Sequence, residues 1–142
     1  MKEQDFSALR KALEAGDCGA AGDILSETLM ATISYYDYDE SFYHGFLAGL
    51  LNSMGGYSVL SNRESGEGRP DIILKEQKFC GKAMILELKV ADNIRQMEQQ
   101  CLSALRQIEE KCYEEHISAE EHSQVLKYGI CFYKKGCRVM RA

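Results

Sequence analysis

The sequence has little of what marks several large classes of protein. Its 142 residues include one proline and no tryptophan. No stretch approaches the roughly 18 consecutive apolar residues that a membrane-spanning helix requires, and residues 1–16 lack the apolar segment of a secretion signal. We therefore expect a cytoplasmic protein without a membrane segment.

Sequence motifs of several enzyme classes are also missing. The chain has no G-x-x-x-x-G-K-[ST] loop for nucleotide phosphates, no H-E-x-x-H zinc motif, no G-x-S-x-G nucleophile elbow and no dinucleotide-binding fingerprint. These absences argue against a nucleotide-hydrolysing motor, a zinc protease, an esterase of the hydrolase fold and a Rossmann enzyme.

The six cysteines are dispersed, without a C-x-x-C pair or a histidine at zinc-ligand spacing. They are Cys18, Cys80, Cys101, Cys112, Cys131 and Cys137. Cys101 and Cys112 fall on the apolar stripe of a predicted helix, which favours packing in the core over a disulfide. We expect reduced thiols.

The charge balance is acidic, with 17 Lys and Arg against 22 Asp and Glu and a net charge of −5. A protein that binds nucleic acid through its overall field is usually basic, so any such binding here has to be local. Lys134, Lys135 and Arg138 form a basic cluster, which either contacts a nucleic-acid backbone or is a solvated hairpin. The length and the apolar content of 45% suit a single domain.

Apolar residues at helical spacing predict three helices in the first part of the chain. The first ends at Gly16. The second follows an interruption at Gly19–Gly22 and reaches about Tyr35, and the third covers about residues 39–54. A longer stripe downstream, from Ile94 to Cys112, predicts a helix of roughly 20 residues.

Alternating and continuous apolar runs predict five strands. They cover residues 57–64, 69–74, 83–90, 128–133 and 138–141. The order of elements predicts an α/β fold with one mixed central sheet flanked by helices. We expect a single domain, with residues 1–36 as an N-terminal helical extension packed on a core of residues 37–142.

Charged residues stand on the strand that is otherwise the most apolar. In AMILELKV, period-two geometry puts Ile85, Glu87 and Lys89 on one face. A hairpin with the preceding strand can bring Asp71 beside Glu87. For this strand alone, a solvated Glu87–Lys89 ion pair is the alternative.

Two carboxylates and a lysine in one place suit metal-assisted phosphodiester chemistry. Mg²⁺ and Mn²⁺ prefer oxygen ligands such as the carboxylates of Asp71 and Glu87. A neighbouring Lys89 can orient the attacking water and compensate phosphate charge.

Pro70-Asp71, followed after 15 residues by Glu87-Leu88-Lys89, resembles the PD-(D/E)XK nuclease motif. Over about residues 25–140 the chain is similar to the nuclease-like C-terminal domain of certain bacterial AAA-type ATPase-like proteins. The resemblance implies a restriction-endonuclease-like core (αβββαβ), a nucleic-acid substrate with DNA foremost, and an attached or partner ATPase domain. It also implies that Asp71, Glu87 and the Leu88 carbonyl bind the metal and that Lys89 positions the water.

Five secondary positions are further candidates, three of them (Glu40, Gln107 and Tyr113) through the resemblance. Glu40 matches a glutamate that approaches the metal in many members, although first-turn stabilisation of its helix is an equal alternative. Gln107 resembles a glutamine near the scissile phosphate, followed by Tyr113, and a plain surface glutamine is the alternative. His44, one turn after Glu40, and Arg69 are candidate substrate-binding residues.

Two functions from different classes follow. The first is a Mg²⁺- or Mn²⁺-dependent nuclease, which the complete set of Asp71, Glu87 and Lys89 favours. The second is a catalytically inactive nuclease-like module for nucleic-acid or protein interaction, which the low overall basicity favours.

Overall fold

The computed structural model describes residues 6–32, 39–62, 69–111 and 122–142. Within these ranges the helices are α1 (Ser7–Ala15), α2 (Cys18–Ala31), α3 (Glu40–Ser53) and α4 (Met97–Glu110). The strands are β1 (Tyr57–Ser61), β2 (Ile72–Glu76), β3 (Lys82–Val90), β4 (Gln124–Tyr133) and β5 (Gly136–Arg141). None of the described helices is both long and apolar enough to cross a membrane.

The five strands form one mixed sheet in the order β1-β2-β3-β4-β5. Neighbouring strands are antiparallel except β3 and β4, which are parallel and are joined through α4. A parallel pair needs such a crossover, whereas antiparallel pairs need only a turn. The predicted order of one helix, three strands, a helix and a strand is therefore confirmed.

The sheet has two faces, covered by different helices. One face packs against α1, α2 and α3; we call it the α1–α3 face, and its strand residues include Leu74, Met84 and Leu86. The opposite face packs against α4 and is called the α4 face. Here Ile73 and Ile85, which are opposite each other in the ladder, contact Ile108. Because side chains alternate along a strand, Glu87 and Lys89 share the α4 face with Ile85.

The prediction of an interruption at Gly19–Gly22 is wrong. These glycines lie inside α2, which begins at Cys18 after the Asp17 carboxylate caps the Ala20 N–H. The helix packs on β5, and a Cβ at Gly22 would lie 3.4 Å from the carbonyl oxygen of Cys137. Close packing thus compensates for the low helix propensity of glycine. The predicted end near Tyr35 lies outside the described residues.

The long helix predicted from Ile94 onward is shorter than expected. Ile94 begins a 3-10 turn that ends at Gln96, and its side chain is 71% exposed. The α-helix itself starts at Met97 and has 14 residues. Ile94 therefore continued the apolar spacing in the sequence without packing in the core. Cys112, at the other end of the predicted stripe, lies outside the described residues.

The boundaries of the first two strands also differ from the prediction. β1 ends at Ser61, and residues 63–64 of the predicted strand fall outside the described ranges. β2 begins at Ile72, so Arg69 to Asp71 precede it. Proline has no N–H to donate to a ladder, which explains why regular pairing begins after Pro70.

Each of the five cysteines within the described ranges is a free thiol, as predicted. Cys101 and Cys131 are fully buried on the α4 face. Burial raises the pKa of the Cys101 thiol to about 12 and that of Cys131 to about 11. These two thiols are protonated at neutral pH and act as core residues.

The Tyr128 hydroxyl links the sheet to α1, since it donates a hydrogen bond to the Leu13 carbonyl oxygen. Tyr128→Phe removes this buried bond and should lower the free energy of unfolding by about 1 kcal/mol. Urea denaturation followed by circular dichroism measures the change. Tyr133→Phe is the matched control, because Tyr133 is only partly buried. Equal stability of the two variants would contradict this role for Tyr128.

Candidate active site

Asp71 and Glu87 lie opposite each other at one end of the β2–β3 hairpin. Ile72 pairs with Leu86 in the antiparallel ladder, so the residue before β2 falls opposite the residue after Leu86. The Asn62 N–H donates to the Asp71 carbonyl oxygen at 2.9 Å, which holds this residue in line with β1. Opposed residues of an antiparallel pair share a face, so both carboxyl groups lie on the α4 face.

The backbone of Leu88 fixes the Asp71 side chain. Its N–H donates to Asp71 Oδ2 at 2.9 Å. The N–H and C=O of one strand residue point to the same side of the strand. The Leu88 carbonyl therefore points to the edge on which Asp71 lies, beyond the last β2 pairing. Two carboxyl groups and one backbone carbonyl thus border the same small region.

Glu87 is the buried charged residue of the site, with 3% of its surface exposed. Its Oε2 atom has no hydrogen-bond partner in the described part of the chain. Burial raises the pKa of the Glu87 carboxyl well above its ordinary value; the adjacent Asp71 raises it further and Lys89 partly opposes the shift. Burial beside a second carboxyl group therefore favours the protonated form of Glu87 in the metal-free protein.

Gln107 of α4 connects Lys89 with Glu87. The Lys89 ammonium donates to Gln107 Oε1 at 2.6 Å, and Gln107 Nε2 donates to Glu87 Oε1 at 3.4 Å. The amide can do this because it offers both an acceptor and a donor. The structure therefore brings Gln107 together with Glu87 and Lys89 of β3.

Gly129 allows α4 to approach the sheet at the level of the site. It pairs with Glu87 in the parallel ladder between β3 and β4. A Cβ at this position would overlap the Cys101 carbonyl oxygen and would lie 3.2 Å from the Ala104 Cβ. Our sequence analysis missed this residue, although a glycine inside the apolar run YGICFY is a signal for close backbone approach.

Helix α3 starts at the same end of the sheet, but Glu40 and His44 do not join the carboxylates. The Tyr43 hydroxyl donates to the Lys134 carbonyl oxygen at 2.7 Å, next to the end of β4. Glu40 is exposed. His44 is 6% exposed, and its Nε2 lies 2.7 Å from Ser61 Oγ. Within the described ranges no three His, Cys, Asp or Glu residues are arranged to hold a metal. The proposed roles of Glu40 and His44 stay predictions.

The two remaining candidates have different positions. Arg69 is exposed and precedes Asp71 by two residues. Tyr113 lies outside the described residues. The geometry thus assembles Asp71, Glu87 and the residues that contact them.

The comparison with protein families matches this geometry. A family model for the PD-(D/E)XK nuclease superfamily matches residues 38–142. The chain belongs to this superfamily. The matched region contains α3, the five strands and α4, and the restriction-endonuclease-like α/β fold predicted from the sequence is confirmed. The chain matches no curated protein and no solved structure.

Membership of the PD-(D/E)XK superfamily supports a nuclease-like function. Nucleases of this superfamily act on nucleic acid and generally use divalent metal ions. The Asp71–Glu87 pair fits such an ion, because it combines two oxygen donors with a buried carboxyl atom that has no other partner among the described residues.

Gly129→Ala should displace α4 from the site, because the added methyl group meets helix backbone rather than a flexible side chain. We expect a loss of about 1–3 kcal/mol in the free energy of unfolding, as for other overpacked sites. Gly49→Ala is the matched control. It also replaces a glycine by alanine, here within helix α3, but the added Cβ lies in open space. It should stabilise the protein by up to about 1 kcal/mol. Equal effects in urea denaturation would contradict the close approach at Gly129.

Glu87→Gln should change how the stability of the metal-free protein depends on pH. The folded protein holds the Glu87 proton more tightly than the unfolded chain, so its free energy of unfolding falls as the pH rises above the ordinary glutamate pKa. The glutamine variant lacks this fall and should be more stable than the wild type by about 1–2 kcal/mol at about pH 8.

Thermal unfolding in EDTA at about pH 5 and about pH 8 measures this difference. Glu110→Gln serves as the control, because Glu110 is exposed at the end of α4. If Glu87→Gln and the wild type lose stability equally over this range, Glu87 is not held in its protonated form.

Proposed function

We propose that this chain is a Mg²⁺- or Mn²⁺-dependent nuclease that hydrolyses phosphodiester bonds, with DNA as its substrate. The observation that carries the proposal is the buried Glu87 opposite Asp71, with one carboxyl atom unsatisfied in the described part of the chain. Burying such a group costs several kcal/mol of free energy without a partner. A divalent cation compensates that cost.

Asp71, Glu87 and the Leu88 carbonyl are the residues that would hold the ion. When bound, a divalent cation lowers the pKa of a water molecule and neutralises charge on the phosphate. The Asp71 carboxylate is already oriented by the Leu88 N–H at 2.9 Å. An oriented ligand loses less entropy on binding, so this hydrogen bond favours the metal complex.

Lys89 would position the attacking water and compensate the charge that develops on the phosphate. Its ammonium group is held by Gln107 at 2.6 Å. Because Gln107 also donates to Glu87, the amide keeps the cation next to the proposed metal ligand. In this role Gln107 orients Lys89. Glu40 would add a further ligand only if substrate or metal moves it towards Asp71.

Substrate capture would depend on a second element. We propose that an ATPase domain or partner of the AAA type supplies it, because the chain resembles the nuclease-like domain of such ATPase-like proteins and its net charge of −5 does not favour nucleic-acid binding by its overall field. In this scheme residues 1–36 form a helical extension and residues 37–142 form the nuclease core. The packing of α2 on β5 supports an extension that is docked on the core.

A catalytically inactive interaction module is the second candidate. The net charge of −5 favours it, because nucleic-acid binding by an acidic chain is local and weak. The absence of a third carboxylate or histidine next to Asp71 and Glu87, within the described ranges, also favours it.

Isosteric substitutions should separate metal binding from catalysis. Asp71→Asn and Glu87→Gln should each abolish the calorimetric signal for Mn²⁺, because each removes a ligand charge. Lys89→Met should bind Mn²⁺ but cleave labelled DNA at least about a hundredfold more slowly, since it removes only the group that positions the water.

Asp23→Asn and Lys11→Met are the matched controls, because both side chains are exposed on helices of the opposite face. Unchanged Mn²⁺ binding by Asp71→Asn and Glu87→Gln would refute the proposed metal site. Metal binding without cleavage of single-stranded, double-stranded or branched DNA by the wild type would favour the inactive module.

A further inference from the structure

A groove with a volume of ≈ 530 Å³ lies over β1 and β2, next to the candidate active site. Among the described residues its walls include Leu60, Asn62, Arg69, Ile73 and Lys75. None of the functional arguments above uses this groove, apart from the exposed Arg69 at one end.

The groove lies on the same face of the sheet as the site. Leu60 pairs with Ile73, and Ile73 pairs with Ile85, which shares its face with Glu87. Helix α4 covers β3, β4 and β5 on this face, and its Ile108 reaches Ile73. The part of the face formed by β1 is left open at Leu60. A ligand in the groove would therefore lie beside Asp71, two residues before Ile73.

Two cationic side chains, those of Arg69 and Lys75, line the groove. Neither forms a salt bridge within the described ranges, and no described Asp or Glu lines the groove. Two cations in one groove of a chain whose net charge is −5 are a local exception to its acidity. Their side chains can contact the phosphates of a nucleic-acid backbone.

The groove contains an accessible apolar side chain. Leu60 is 51% exposed although it lies on a strand of the sheet. Bases of a duplex stack on each other and offer their edges and phosphates to a protein. Bases of a single strand can unstack and place their faces on side chains, beside cations that follow the backbone.

We propose that this groove binds a single-stranded segment of the nucleic-acid substrate next to the phosphodiester that is cleaved. Arg69 and Lys75 contact the backbone phosphates, and Leu60 contacts an unstacked base. The inference rests on the proposed nuclease function and gives it a substrate class. Asn62, at the same wall, is available to hydrogen-bond a base edge.

Fluorescence anisotropy with a labelled oligothymidylate, and with a duplex of equal length, tests the groove. All proteins carry Glu87→Gln and contain no divalent metal, so that binding is measured without cleavage. We expect the single strand to bind at least about tenfold more tightly than the duplex. Lys75→Glu should weaken this binding by about tenfold, because it reverses a charge in the groove. Leu60→Ser should weaken it by about fivefold, because it removes an apolar contact with a base.

The matched controls carry the same types of substitution at positions away from the groove. Lys11→Glu on α1 and Leu102→Ser on α4 replace exposed side chains, and we expect affinities within about twofold of the parent protein. The proposal is overturned if the duplex binds as tightly as the single strand. It is also overturned if Lys75→Glu weakens binding no more than Lys11→Glu does. Arg69→Glu, at an exposed position, provides a second charge reversal should Lys75→Glu alter the fold.

Cleavage of the same oligonucleotide by the wild-type chain with Mn²⁺ is measured separately. If binding depends on the groove but no cleavage occurs, the proposed nuclease reaction is refuted and the groove is supported as a binding site. If cleavage occurs but binding is insensitive to substitution of Lys75 and Leu60, the groove proposal is refuted and the nuclease function is supported.

Discussion

The carboxyl group of Glu87 is buried on the central strand beside a second carboxyl group, that of Asp71. Both burial and proximity disfavour its ionised form. The groups around the pair compensate in part: the Leu88 N–H donates to Asp71, and Gln107 donates to Glu87. One carboxyl atom of Glu87 still has no partner in the described part of the chain. We propose that a cation completes this site.

The two faces of the sheet support this pair of carboxyl groups in different ways. The α1–α3 face buries most of the apolar core, including Leu74, Met84 and Leu86, and this burial supplies stability that the site does not. The α4 face holds the polar residues and keeps them close to a helix. Gly129 is essential to that arrangement, because any Cβ there would push α4 and its Gln107 away from β3.

The sequence predicts the strand face and the hairpin of the site because both follow from local rules. Period-two alternation sets the face of Glu87, and the short β2–β3 connection leads to antiparallel pairing opposite Asp71. The contact of Gln107 with Lys89 could not be predicted, since it depends on how closely α4 approaches the sheet. The burial of His44 against Ser61 likewise depends on packing between distant elements.

The errors in the predicted helix boundaries also arise from packing between distant elements. Gly22 weakens a helix considered alone, but it lets α2 pack on β5, so tertiary contacts decide the outcome. Ile94 fits the apolar spacing of α4 and yet lies exposed in a 3-10 turn. Spacing identifies which residues can share a face, whereas packing decides which of them are buried.

The central claim is that Asp71 and Glu87 together bind one divalent cation. Crystals of the wild-type chain soaked in Mn²⁺, with data collected near the manganese absorption edge, test it most directly. We predict an anomalous peak in contact with both carboxylates and with the Leu88 carbonyl, and no such peak in Glu87→Gln crystals. A wild-type map without a peak between Asp71 and Glu87, at a Mn²⁺ concentration that supports cleavage, would contradict the account.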